Sequence, residues 1–143
     1  MDAQRAARLT DDWVQRHLTV EPPSSVAVEA VSGALALVPE PDAAAAITGV
    51  DERPRIAVLA GGALYVVWAV PGSSAVREAA RCRRVPLDPP RTAVELSERR
   101  DPGAVVRHWW FEVEEEPLVF RTTGEDEPER FARALAGALG WRQ

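Results

Sequence analysis

The chain has no lysine, no asparagine, one cysteine and two histidines in 143 residues. Each shortage excludes a class of chemistry. One cysteine, Cys82, cannot form an internal disulfide or a multi-cysteine zinc site. Neither His17 nor His108 has a second histidine or a cysteine at ligand spacing, so no metal is expected and no catalytic residue can be named. Gly61-Gly62 is not a phosphate loop, because no Gly-Lys-Ser/Thr follows and the next element reads as a strand. Ser24-Ser25 and Ser73-Ser74 lack a Gly-x-Ser-x-Gly context. No apolar run reaches the roughly 18 residues of a membrane-spanning helix. The longest, 56–70, is broken by Gly61-Gly62. The opening Met1-Asp2-Ala3-Gln4-Arg5 leads into a charged segment without an apolar stretch, so no secretory signal is expected and the expectation is a cytoplasmic protein. No cofactor is expected.

The rest is an ordinary globular composition, 46% hydrophobic and 27% charged. At 15.6 kDa the chain is read as one domain, 1–143. All 17 cationic residues are arginine. A GC-rich, actinobacterium-like genome explains that more simply than selection for guanidinium contacts does. The net charge of −5 and the pI of about 5.1 argue against nucleic-acid binding, which rests on phosphate attraction. Charge is uneven along the chain. Seven arginines fall between Arg77 and Arg100, and eight acids between Glu112 and Glu129. Faces that pair with each other in the fold are the simple reading, and a partner-facing basic patch is the other.

Residues 2–19 read as a helix, with Asp2 as N-cap and Ala6, Leu9 and Trp13 on its apolar stripe. Pro22-Pro23 ends it. Val26 to Val31 and Ala34 to Val38 read as two short strands around Ser32-Gly33. Ala43 to Ile47 reads as one helical turn on alanine's propensity, and 48–54 as a loop. Ile56 to Val70 is the clearest signal, two β-rich runs around Gly61-Gly62 that form a tight hairpin. Both faces of its second strand are apolar, so it should be covered on both sides. Further strands are expected at 82–87, 91–97, 104–113 and 118–123, with a charged turn at 98–103 between the second and third. Asp126 should cap a closing helix, 126–140, whose Phe131, Leu135 and Leu139 share one stripe.

These elements give an α+β architecture. A helix over 1–20 precedes an antiparallel six- to seven-stranded meander over 26–123. The meander curls into a half-barrel that the C-terminal helix closes. The hairpin 56–70, the strand pair 105–113 and 118–123, and the run from the last strand through Thr122-Thr123-Gly124-Glu125-Asp126 into one helix carry a resemblance to the pleckstrin-homology (PH-like) superfold, in particular to bacterial PH-like domains. The resemblance spans 56–141. An NTF2-like cone is the alternative fold.

The resemblance implies no catalytic signature, so a protein-interaction or self-assembly module is the first expectation. Its partner is then another protein or a second copy. Adjacent strand residues face opposite ways. If Trp109 is in the core, Trp110 lies on the outer face near His108, where a half-exposed tryptophan is a typical interface anchor. The rival reading is that the opening helix covers it. Trp110 and His108 are therefore one candidate surface, and an arginine loop of Arg77, Arg81, Arg83 and Arg84 is the other. Two alternatives stay open: a small hydrophobic ligand or a substrate held in the concavity of the sheet, and anionic membrane binding through the arginine loop. The superfold's role in lipid binding suggests the second, and the acidic net charge argues against it. Cys82 is expected to be a buried strand residue, although Arg81 and Arg83 beside it could lower its pKa. Glu114-Glu115-Glu116 is read as a solvated turn rather than a cation site.

Overall fold

The computed structural model describes residues 1–18, 20–48, 53–87, 92–113, 116–123 and 126–141. The elements in order are α1 (Ala3–His17), α2 (Ser25–Ala36), β1 (Ala43–Thr48), β2 (Pro54–Ala60), β3 (Ala63–Ala69), a short 3-10 turn (Val76–Glu78), β4 (Ala80–Pro86), β5 (Thr92–Asp101), β6 (Ala104–Val113), β7 (Glu116–Thr123) and α3 (Glu127–Ala138). The first four strands form one antiparallel sheet in the order β1-β2-β3-β4, and the last three form a second in the order β5-β6-β7. No helix among the described residues is long and apolar enough to cross a membrane.

The first sheet is covered on both faces. Side chains alternate across each strand. On one face Ala44, Ala46, Ile56, Val58, Ala60 and Val67 join a core with Ala6, Leu9 and Trp13 of α1 and Val31 and Leu35 of α2. On the other face Ala45, Ile47, Ala57, Leu59, Leu64, Val66 and Val85 join Trp109, Phe111 and Leu118 of the second sheet and Phe131, Leu135 and Leu139 at α3. The apolar two-sided pattern of β3 follows from this placement. Gly61 and Gly62 have φ of 56° and 73°, the left-handed backbone a two-residue hairpin needs, and Ala60 pairs with Ala63 across it.

Three sequence expectations change. Residues 25–36 form a helix instead of two strands, so the sheet begins at Ala43 rather than at 26. The Ser24 hydroxyl accepts from the Ala27 N–H at 3.1 Å and caps the first turn. Buried Ala27, Ala30, Val31 and Leu35 then fall at helical spacing. Ala43 to Ile47 forms β1 instead of a helical turn. The strand lies between α1 on one face and the α3 layer on the other, and alanine lets both helices approach closely. That packing outweighs its helix propensity. The charged turn expected at 98–103 is shorter, because β5 continues to Asp101 and pairs with Ala104 across Pro102-Gly103. Most of the loop expected at 48–54 lies outside the described residues; its ends, Thr48 and Pro54, belong to β1 and β2.

The expected closing helix is present. The Asp126 carboxylate accepts from the Glu129 N–H at 2.9 Å. Phe131, Ala132, Leu135 and Ala136 are buried, and Trp141 meets the Trp109 ring edge-on at 5.6 Å. Side chains of both sheets and of α3 form one core cluster between them.

Candidate functional site

The outer face of the second sheet is the first place to look for function, because its inner face alone meets the core. Along β6, Trp109 and Phe111 are fully buried, while Trp110 is 41% exposed and His108 and Glu112 are exposed. Pairing fixes their neighbours. Glu95 and Val119 flank Trp110, and Ser97 and Arg121 flank His108. Arg99 continues the same face beyond Ser97, beside Val106, which is buried. Charge is sorted along the strands. Arg99 and Arg121, with His108 beside Arg121, lie toward one end and Glu112 toward the other, with Trp110 between them and Glu95 level with it. The opening helix does not cover this face; α1 packs on β1, β2 and α2.

Behind Trp110, on the inner side, stands a group that sequence reasoning did not single out. Glu129 is 2% exposed. Its carboxylate accepts from Trp109 Nε1 at 2.9 Å, Arg107 Nη1 at 3.1 Å, Arg133 Nε at 3.0 Å and the Thr122 hydroxyl. Arg107 also donates through Nε to Glu98 at 2.9 Å. That bond holds the Glu98 carboxyl below its usual range and the Arg107 guanidinium above its own. These contacts tie α3 to β6 and β7. A carboxylate with every neighbour donating is a satisfied structural anion, with no proton-transfer partner. The available signal was its place three residues after the Asp126 cap, but that spacing predicts a capping role and not an inward side chain.

The arginines of the second candidate surface do not form a loop. Arg77 is in the 3-10 turn, and Arg81, Arg83 and Arg84 are on strand β4. Strand alternation separates them. Arg81 and Arg83 lie opposite Trp68 and Val66, on the α3 side of the sheet, and Arg84 lies opposite Tyr65, on the α1–α2 side. A flat membrane surface would meet at most two of these three at once. As charges on an edge strand they also discourage strand addition. Cys82 is exposed, not buried as expected. It sits on the face opposite to Arg81 and Arg83, so neither guanidinium flanks the thiol, and partial desolvation pushes its pKa up. His108, on the outer face of the other sheet, is no partner for it. Glu114 and Glu115 lie outside the described residues.

Core side chains line the facing sides of the two sheets. A cavity of about 610 Å³ lies at one end of the first sheet. His17 at the end of α1 and Glu21 and Ser24 of the α1–α2 connection line it, with Arg53 just before β2, Arg55 of β2, and Trp68 and Arg81 of β3 and β4. Arg55 stacks over the Trp68 ring at 5.6 Å. Burial pushes His17 below its usual pKa, Arg53 adds to this, and a hydrogen bond and the charge of Glu21 oppose it. A second cavity, about 550 Å³, is lined by Asp12, Asp126 and Glu127 with Arg16. The two cavities thus differ in the sign of their lining charge.

In comparisons with known proteins, the chain matches no family model, no curated protein and no solved structure.

Proposed function

We propose that this protein is a non-catalytic, cytoplasmic interaction module that associates with a second copy of itself through the outer face of β5, β6 and β7. The observation that carries the reading is Trp110, 41% exposed at the middle of a sheet face that no helix among the described residues covers. The sorted charge on that face selects the occupant. A two-fold axis lying between two such faces and across their strands sets the basic end of each copy on the acidic end of the other. The face is self-complementary in the sense an isologous interface requires. The PH-like resemblance is part of the same proposal. A meander divided into four and three strands and followed by one helix supports it, with α1 and α2 as additions.

The face is small. Three strands about 4.8 Å apart and ten residues of about 3.3 Å each present roughly 500 Å². A standard interface buries about 800 Å² per partner, so the expected dimer is weak, in the micromolar range. Sedimentation velocity from about 5 to 300 μM tests this, a range that brackets such a dissociation constant. The expected result is a monomer–dimer equilibrium that Trp110→Ala weakens at least about tenfold. Glu112→Arg should weaken it too, and Glu112→Arg combined with Arg121→Glu should restore it. A wild-type monomer over the whole range, or a Trp110→Ala variant that dimerises like wild type, would overturn the proposal.

A further inference from the structure

The open edge of the first sheet is the feature that self-association leaves unused. Strand β4 ends that sheet, next to β3. Its ladder with β3 is bracketed by two hydrogen bonds. The Val70 N–H donates to the Ala79 carbonyl at 2.8 Å, and the Leu87 N–H donates to the Gly62 carbonyl at 3.3 Å. In an antiparallel pair, residues that exchange bonds alternate with residues that do not. Counted inward from both ends, Arg81, Arg83 and Val85 bond to β3, opposite Trp68, Val66 and Leu64. Ala80, Cys82 and Arg84 therefore turn their N–H and C=O groups the other way, toward the open edge. Among the described residues no turn, loop or cap hydrogen bond reaches those groups. Pro86 has no N–H, so the row of donors stops before it.

The edge carries charge of one sign. Arg81 and Arg84 are exposed, and β3 and β4 contain no acidic residue. Neither guanidinium has an ion-pair partner among the described residues. The two arginines are three residues apart, so alternation places them on opposite faces of the sheet. An antiparallel copy of β4 centred on Cys82 would set Arg81 against Arg83, and like charges directly opposite destabilise a pair. The same charges favour an added strand with acids at those positions. In a register centred on Cys82, the residues facing Arg84 and Arg81 are also three apart, and the residue facing Cys82 lies between them.

We infer that the β4 edge binds an extended acidic segment of a protein partner as an added antiparallel strand, with main-chain bonds to Ala80, Cys82 and Arg84 and with carboxylates at i and i+3 meeting Arg84 and Arg81. The two contacts differ in kind. The main chain supplies affinity without regard to sequence. The carboxylates select the partner and fix its register. The edge belongs to a different sheet from Trp110, so this binding does not depend on self-association.

The test uses the full-length, isotope-labelled protein and a capped peptide, Val-Glu-Thr-Val-Glu-Thr-Val, titrated to about 2 mM because so short a ladder is weak. Saturable shifts are expected at the backbone amides of Ala80, Cys82 and Arg84, with slowed hydrogen exchange at Cys82 and Arg84. The peptide with lysine in place of both glutamates should bind at least about fivefold more weakly. Proline in place of the central valine removes the donor to the Cys82 carbonyl and should abolish binding. Arg81→Glu/Arg84→Glu should invert the preference between the acidic and the lysine peptide. Arg84→Glu alone covers the case in which the double variant fails to fold, and it should narrow the preference. Trp110→Ala should bind the acidic peptide as wild type does. No saturable binding, equal affinity for the lysine peptide, undiminished binding of the proline peptide, or an unchanged preference in Arg84→Glu would overturn the inference. Loss of binding in Trp110→Ala would overturn it by moving the peptide to the other sheet. Shifts at the Cys82 and Arg84 amides that grow with protein concentration in the absence of peptide would assign the edge to a second copy and overturn it as well.

Discussion

The two sheets of this molecule solve the same burial problem in different ways. The first three strands of the four-stranded sheet are covered on both faces and consist mostly of alanine, valine, leucine and isoleucine, while its edge strand β4 carries Arg81, Arg83 and Arg84. Its stability comes from close approach, with α1 and α2 on one side and α3 on the other. The three-stranded sheet is covered on one face and carries its polar groups inward as well as outward. Arg107, Trp109 and Thr122 meet at the buried Glu129, which takes the place of further apolar contact in fixing α3. The buried strands β1 to β3 therefore resist added volume on either side. The second tolerates change on its outer side but no loss of charge at its inner node.

The largest expected effect is at that node. Glu129→Ala leaves the donors of Arg107 and Trp109 inside without an acceptor. Breaking a buried charged contact in this way costs about 3–5 kcal/mol. Denaturant titration should show that loss, with a smaller one for Glu129→Gln, which keeps an acceptor oxygen. A Glu129→Ala midpoint equal to wild type would show that the node contributes nothing. Next in size is the contrast between the sheets themselves. Ala46→Leu adds volume under α1 and should cost about 1–3 kcal/mol, while Ser97→Leu, the same final side chain on the open face of β5, should stay within about 0.5 kcal/mol. Equal costs at the two positions would remove the distinction drawn here.

The smallest effect is pH-dependent and belongs to the first sheet's end. His17 has its pKa depressed by burial, so the unfolded chain takes up the proton first as pH falls. Stability should thus decline as pH drops below about 6.5, the ordinary histidine value, and level off below the folded pKa. His17→Gln should flatten the curve in that window and leave the carboxylate region untouched. In that lower region Glu98, whose pKa is depressed by Arg107, loses its contribution as pH falls from its ordinary range through its folded value. A wild-type curve that is flat between pH 7.5 and 5.5 would remove His17 as its source.

Much of this was legible in the order of residues, for reasons that differ by element. The hairpin around Gly61-Gly62 and the helix after Asp126 carry local signals strong enough to be read alone, a pair of left-handed glycines and a cap with a spaced apolar stripe. The exposure of Trp110 followed from strand alternation once Trp109 was assigned inward. Helix α2 was hidden because it is apolar on all sides; Val26, Val28 and Ala30 alternate as a strand would, and the stripe of Ala27, Val31 and Leu35 does not stand out against them. Strand β1 was hidden because alanine's preference is helical and its two-sided burial is a fact of tertiary packing. The inward turn of Glu129 depends chiefly on Thr122, Trp109 and Arg107, 7 to 22 residues away in sequence. The arginine cavity is assembled from four separate stretches, each unremarkable alone, so no spacing in the chain announces it.

The pairing of the strands has one further consequence, for the way the chain gathers itself. Among the described residues every strand pairs with its neighbours in sequence, so each ladder closes over a short span and loses little chain entropy in doing so. The contact of α3 with the first sheet is of another kind: the helix lies against β1, with strands β2 to β7 looped between them. That closure spans far more chain than any strand ladder and costs more entropy, and the buried carboxylate at the first turn of α3 fastens the same helix to β6 and β7.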